Sequence, residues 1–165
     1  MAVVAELPRL RRYARALLRD PVGADDLVQD CVERALSRLT LFRAGTNMRS
    51  WLFTIMHNVY VNSVRRRSHA PDRDVLTPGI ADSHPTQPEQ HAALVARDIT
   101  RSLGLLSEEH REIVLLVDLE DMSYKQAAQV VGVPIGTVMS RLARGREHLR
   151  ELMDGGPTPA LRRVK

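Results

Sequence analysis

The stretch from Ser123 to Arg150, SYKQAAQVVGVPIGTVMSRLARGREHLR, leaves the chain little choice of local structure. Ala127, Ala128 and Val131 recur at the spacing that buries one face of a helix over Tyr124 to Val131. Gly132 tolerates the left-handed conformation that commonly ends such a helix. Pro134 stands where a second helix can begin without losing a hydrogen bond. From Ile135 onward, at about 100° per residue, Ile135, Val138, Leu142 and Leu149 share one face, while Gly136, Ser140, Ala143 and Arg144 fall roughly opposite. One side packs and the other is free to meet a partner.

The pattern is a helix-turn-helix. Its second helix is small and polar at the N-terminal end of the free face, where a recognition helix meets base edges in the major groove. Between Pro134 and Arg150 stand four arginines, Arg141, Arg144, Arg146 and Arg150, against one acid, Glu147. Guanidinium forks match guanine edges and phosphate oxygens bidentately. A solvated basic helix has the same charge but does not call for the glycine turn, the proline and the small residues. DNA reading is the leading expectation.

A chain of 165 residues makes one ordinary domain or two small ones, and 44% hydrophobic content suffices for packed cores. The net charge is only +4, with arginines placed unevenly, so local basic patches and polyanionic partners are expected. Cys31 is the only cysteine, which rules out an intramolecular disulfide and suits a reducing compartment. No apolar run approaches the roughly 20 residues that span a bilayer. The N-terminus MAVVAELPRLRR carries arginines where a signal peptide needs its apolar core. The expectation is a cytoplasmic protein with no stable membrane insertion. The six histidines are scattered and form no zinc-type spacing with the one cysteine. No glycine-rich phosphate loop or nucleophile elbow is present. No catalytic residue, metal or cofactor is expected.

Between Ser68 and Ala92 the composition changes: prolines stand at 71, 78, 85 and 88, with few large apolar residues and no periodicity. The segment 68–92 reads as a flexible linker between two small helical domains, 1–67 and 93–153, with 154–165 as a frayed tail. No alternating strand pattern appears, so the fold class is all-α.

In the first domain, Leu7, Leu10, Ala14, Leu17 and Leu18 make one amphipathic helix, which Pro21 and Gly23 are expected to end. A second, from around Ala24, places Val28, Cys31, Val32, Ala35 and Leu36 inward and Asp26, Gln29, Asp30 and Glu33 along its other side. Such a stripe fits a solvated face as well as a docking surface. A third helix follows the loop Arg43 to Arg49. Its aromatics, Trp51, Phe53 and Tyr60, together with Arg65, Arg66 and Arg67, suit unstacked bases and a phosphate backbone. Trp51, Phe53, Ile55 and Val59 equally suit a core, with Asn58, Asn62 and Arg65 exposed.

Taken in order, DDLVQDCVERAL, NMRSWLFTIMHN with its basic tail, a variable linker, LSEEHREIVLL and SYKQAAQVVGVPIGTVMSRLARGREHL resemble the extracytoplasmic-function sigma factors, the shortest members of the sigma-70 family. The resemblance covers nearly the whole chain. It implies a factor that binds core RNA polymerase, through the beta-prime and beta subunits, and directs it to promoter DNA. Asp26, Gln29, Asp30 and Glu33 would form the polymerase-docking surface. Arg43, Thr46 and Asn47 would receive an extruded base of the minus-ten element, with Trp51 supporting that loop and Asn58, Asn62, Arg65 and Arg66 following the strand. Pro134, Gly136, Thr137, Met139, Ser140, Arg141, Ala143 and Arg144 would meet the minus-thirty-five duplex. Within that set, Ser140 and Arg144 match base-contact positions, Met139 and Ala143 fall where specificity varies, and Thr137 and Arg141 suit backbone contacts that carry little sequence information. Factors of this kind are commonly held inactive by an anti-sigma partner.

The chain departs from the family pattern in three places. Gln126 stands where a glutamate is common and Ala127 where a larger aliphatic is usual. Gly145 replaces a frequent alanine, at a helix-propensity cost of up to about 1 kcal/mol. Two other classes account for parts of the chain. A helix-turn-helix repressor or activator explains Ser123 to Arg150 but leaves the acidic stripe idle. A two-domain adaptor explains the stripe and linker but not the arginine-rich helix.

Overall fold

A computed structural model describes residues 2–43, 45–68 and 87–154, and among these every regular element is helical. Helix α1 spans Ala2–Leu18, and the chain turns at Arg19, whose φ is 59°. Pro21 and Gly23 do not simply close α1. They open α2, Pro21–Ser37, about one turn earlier than the expected start near Ala24. Asp20 is the reason: its carboxylate accepts from the backbone N–H of Val22 at 3.2 Å and of Gly23 at 3.0 Å, while Pro21 sits at the first helical position, where no donor is needed. A short 3-10 turn, Leu39–Leu41, leads to the loop before α3, Met48–Ser68. Asn47 starts α3 by accepting from the Ser50 N–H at 3.2 Å.

These three helices bury Leu10, Tyr13, Ala14, Leu17, Leu52, Phe53 and Met56 completely or nearly so. Tyr13 meets Phe53 edge-on, centroids 5.0 Å apart at 75°, a favoured aromatic geometry. Phe53 and Tyr60 are thus core, while Trp51 is only partly buried. Leu36, expected inward, is 57% exposed, because the buried stripe of α2 runs through Ala24, Leu27, Val28, Cys31 and Ala35 instead.

Cys31 is buried in this core and donates to the Leu52 carbonyl at 3.5 Å. Burial pushes its thiol up to about 12 from 9.0, against a smaller opposing pull from Arg34. Since the thiolate is the nucleophile, its population falls by roughly a thousandfold. Iodoacetamide at neutral pH should therefore leave native Cys31 unmodified over hours and label it within minutes in denaturant. Equal labelling of native and denatured protein would contradict this packing.

The second half starts with α4, Gln87–Leu105, which begins inside the stretch read as linker; α3 likewise reaches its first residue, Ser68. Residues 69–86 and 155–165, most of the linker and the tail, lie outside the described residues. Helix α5, Glu108–Val114, is capped by Ser107 and continues as a wider π turn, Leu115–Leu119. The helix-turn-helix follows as α6, Tyr124–Val131, and α7, Ile135–Met153, with Gly132 in the left-handed conformation at φ 69°. Gln126 closes a capping box: its backbone N–H donates to Ser123 Oγ at 3.2 Å and its side-chain oxygen accepts from the Ser123 N–H at 2.9 Å. Gly145 has a packing reason as well. It is buried where α5 crosses α7, and a Cβ there would stand 2.8 Å from Val114 Cγ2.

The two halves pack against each other, which the sequence did not indicate. Helix α3 lies on α6, and α1 touches the π turn. Arg111 donates to the Leu103, Gly104 and Leu106 carbonyls at the end of α4 and, across the interface, to Leu17 at 3.0 Å. His57 Nδ1 lies 2.6 Å from Glu112 Oε1. Glu120, fully buried, accepts from Arg12 at 2.9 and 3.1 Å.

Candidate nucleic-acid interface

The loop between α2 and α3 is a turn held by Thr46, whose N–H and hydroxyl both donate to the Arg43 carbonyl, at 3.1 and 2.7 Å. It opens a cavity of about 530 Å³ lined by Leu41, Phe42, Arg43, Thr46, Asn47, Ser50, Trp51 and Thr54, with Gln126 and Gln129 of α6 across from them. That size is in the range of small-molecule and cofactor sites, about 300–1,000 Å³. Trp51 is held by Phe42, ring centroids 5.2 Å apart and tilted by 55°. The residues singled out from the sequence, Arg43, Thr46 and Asn47 of the loop and Trp51 of α3, therefore share one concavity. Asn47 has a second duty there as the cap of α3.

Above the cavity, α3 exposes Asn58, Asn62, Arg65 and Arg66. At about 100° per residue they fall within one third of the helix circumference, in line with the loop. Arg65 also lines a second cavity, of about 370 Å³, with His57 and Tyr60 on one side and Glu108, Glu109, Glu112 and Arg141 on the other.

On α7, Pro134, Gly136, Met139, Ser140, Ala143 and Arg144 are exposed, and Thr137 is half-buried and accepts from Ser140 Oγ at 3.0 Å. A Cβ at Gly136 would meet nothing within 4 Å, so the start of this face is open to a close approach. Arg144 has no ion-pair partner among the described residues. Arg141 and Arg146 do: Arg141 pairs with Glu109 at 2.9 Å, and Arg146 donates through Nε to Asp118 at 3.0 Å, a bond that raises its pKa. Of the four arginines of this helix, Arg141 and Arg146 are thus locally neutralised, while Arg144 remains available on the exposed face.

The stripe Asp26, Gln29, Asp30 and Glu33 is exposed along α2, with Gln29 donating to Glu33 at 3.1 Å. Val22, 71% exposed, and Leu36 bracket it on the same face, and Leu39 and Leu41 continue the apolar margin. The strip is thus an exposed acidic row with exposed aliphatics beside it.

Phe42, Ser50, Thr54, Gln126 and Gln129 were not read from the sequence as belonging to the cavity. Phe42 could have been, as an aromatic beside Arg43. The glutamines come from α6, more than 70 residues further along the chain.

A family model described as the Sigma2 domain of PhyR matches residues 3–57, and one described as Sigma-70, region 4, matches residues 96–149. The ECF RNA polymerase sigma factor EcfG of Rhodopseudomonas palustris is 35% identical, over 98% of this chain and 92% of its own length. The ECF RNA polymerase sigma factor SigC of Mycobacterium tuberculosis is 36% identical over 86% of this chain and 75% of its own. Among solved structures, the sigma factor RpoE in complex with the anti-sigma factor NepR from Bartonella quintana superposes with a TM-score of 0.79 at 34% identity, covering 93% of this chain and 94% of that one. CnrH, in complex with the cytosolic domain of CnrY, gives 0.69 at 26% identity over 94% and 87%. No helix among the described residues is long and apolar enough to cross a membrane.

Proposed function

Since the chain belongs to the extracytoplasmic-function sigma factors of RNA polymerase, we propose that its residues divide the family's task among the three surfaces described above. The protein is a sigma factor: it binds core RNA polymerase, directs it to promoter DNA and starts transcription there. Sigma factors are not a family of enzymes, and our reading assigns this chain no catalytic step, cofactor or metal.

Residues 1–67 act as the minus-ten module and 93–153 as the minus-thirty-five module, with the intervening segment as connector. Asp26, Gln29, Asp30 and Glu33 dock on polymerase, their charge steering the encounter and the flanking Val22 and Leu36 adding apolar contact. Ser140 and Arg144 read base edges, Pro134 and Gly136 give the close approach, Met139 and Ala143 tune preference, and Thr137 meets backbone. Arg141 reaches phosphate only by exchanging Glu109 for it, so it contributes less than Arg144.

The observation that carries promoter opening is the cavity that Arg43, Thr46, Asn47 and Trp51 share at the foot of the Asn58, Asn62, Arg65 and Arg66 face. A base removed from the duplex costs a few kcal/mol, and capture on protein returns about 1–3 kcal/mol per base, so binding of the single strand drives melting without a chemical step. The test is permanganate reactivity of minus-ten thymines in the holoenzyme complex. Asn58→Ala with Asn62→Ala should lower it by at least about tenfold, the loss of one to two good contacts, while duplex binding at minus-thirty-five is unchanged. Unchanged reactivity would remove both asparagines from the assignment.

The sigma factor RpoE bound to the anti-sigma factor NepR supports the same control here, and the exposed Leu94, Val95 and Ile99 of α4 offer apolar surface for such a partner. The cytoplasm is the compartment in which this function places the protein.

A further inference from the structure

Where α1, α3 and the turn before α6 meet, three arginines of the first half converge on one carboxylate of the second. Glu120 has no solvent exposure; Arg12 holds its Oε1 through Nε and Nη2 at 3.1 and 2.9 Å, while Arg49 and Arg9 approach Oε2 at 3.5 and 3.9 Å. The arginines are less enclosed than the acid: the side chains of Arg9, Arg12 and Arg49 are 44%, 51% and 22% exposed. Their donors are not all used, since Arg49 Nε is buried with no hydrogen-bond partner. A buried ion pair of this kind is close to break-even for stability against an apolar replacement, so stability alone is a weak reason for the cluster.

We propose that Arg9, Arg12 and Arg49 form a binding site for a backbone phosphate of single-stranded DNA, which the Glu120 carboxylate occupies while the two halves are packed together. Phosphate offers more acceptor oxygens than a carboxylate and a matching geometry for guanidinium forks. The position is apt. Arg49 stands between Asn47 and Ser50, both of which line the base cavity, and Glu120 shortly precedes α6, whose Gln126 and Gln129 form the far wall of that cavity. Displacing the second half removes the internal anion and the wall together, so the phosphate site and the base cavity open in one movement. The carboxylate then acts as a stand-in for DNA, keeping the free chain off single strands.

The inference rests on the sigma-factor reading, and its test separates the two. Full-length protein is titrated against a fluorescein-labelled single-stranded oligonucleotide, with inorganic phosphate as competitor, for the natural chain, for Glu120→Gln, and for Glu120→Gln with Arg9→Ala and Arg12→Ala. Glu120→Gln should bind the strand about tenfold more tightly, the size of one strong charge-assisted contact, and its log–log salt slope should steepen by about 0.7 per added phosphate. The gain should vanish when Arg9 and Arg12 are also replaced. A gain that survives their loss would make Glu120 a latch only, and no gain would overturn the site outright. A preference for inorganic phosphate over the strand would overturn its assignment to DNA. In the holoenzyme, Arg9→Ala with Arg12→Ala should shorten open-complex lifetime about tenfold at unchanged core affinity, a readout independent of whether Glu120→Gln folds. An unchanged lifetime counts against the site, whereas a natural chain that starts no transcription at all counts against the sigma-factor reading.

Discussion

Core RNA polymerase should cease to retain the chain when Asp26 and Asp30 are both replaced by arginine. Both carboxylates are exposed on α2, and neither makes an ion pair among the described residues, so the change is confined to the surface. Reversal turns two attractions into two repulsions. Like-charge juxtaposition at an interface costs several kcal/mol, so the affinity should fall by at least about a hundredfold. Co-elution with core polymerase on size exclusion and anisotropy titration of a labelled chain both read this. Leu36→Ala should give a smaller loss in the same assay, since Leu36 frames the stripe rather than charging it. Retention of Asp26→Arg/Asp30→Arg at near-natural affinity, with the helical circular dichroism intact, would place docking elsewhere.

Phe53→Ala should cost about 3–5 kcal/mol of stability, as is typical of a large aromatic removed from a closed core. Phe53 is 1% exposed and meets Tyr13 edge-on, so its loss leaves a hole between α1 and α3 that rigid helices cannot readily fill. Against a total of roughly 5–15 kcal/mol for a natural domain, this is enough to leave much of the protein unfolded at physiological temperature. Urea unfolding followed by circular dichroism measures it. A loss below about 1 kcal/mol would mean that Phe53 is not the keystone of the bundle and that the site has collapsed around the gap.

The bounds of the helix-turn-helix were legible almost to the residue, because a stop glycine and a start proline speak about neighbours in sequence, whereas its packed face was not fully so: Ile135, expected inward, is 44% exposed. The same locality explains where legibility ended. Pro21 and Gly23 look like a helix stop until Asp20 is recognised as a cap, which turns them into a helix start. The capping box at Ser123 and Gln126 was available in the letters SYKQ; comparison with a glutamate more common in the family drew attention to a departure rather than to the cap. Leu36 lies one residue after the buried Ala35, and the roughly 100° step between them carries it off the stripe of Ala24, Leu27, Val28, Cys31 and Ala35 to the exposed side. Gly145 reads as a propensity cost until α5 is seen passing within reach of it.

The joining of the halves had no local signal. Arg12 and Glu120 are 108 residues apart, and a charge on an amphipathic helix reads as solvated until its partner is placed. The same holds for Gln126 and Gln129, polar residues of α6 that turn out to wall the cavity beside Trp51. Arg43, Thr46, Asn47 and Trp51, by contrast, were singled out by the family resemblance, and they line one cavity because the loop and the start of α3 are contiguous in sequence.

The central claim is that this chain confers promoter specificity on core polymerase. Transcription of fragmented native genomic DNA by sigma-free core polymerase, with and without the protein, with start sites mapped by sequencing, tests it most directly. Reproducible new starts sharing a two-part upstream motif, lost when Asn58 or Arg144 becomes alanine, are the predicted result. No new starts, together with specific duplex binding by the protein alone, would contradict it and point to a helix-turn-helix repressor or activator instead.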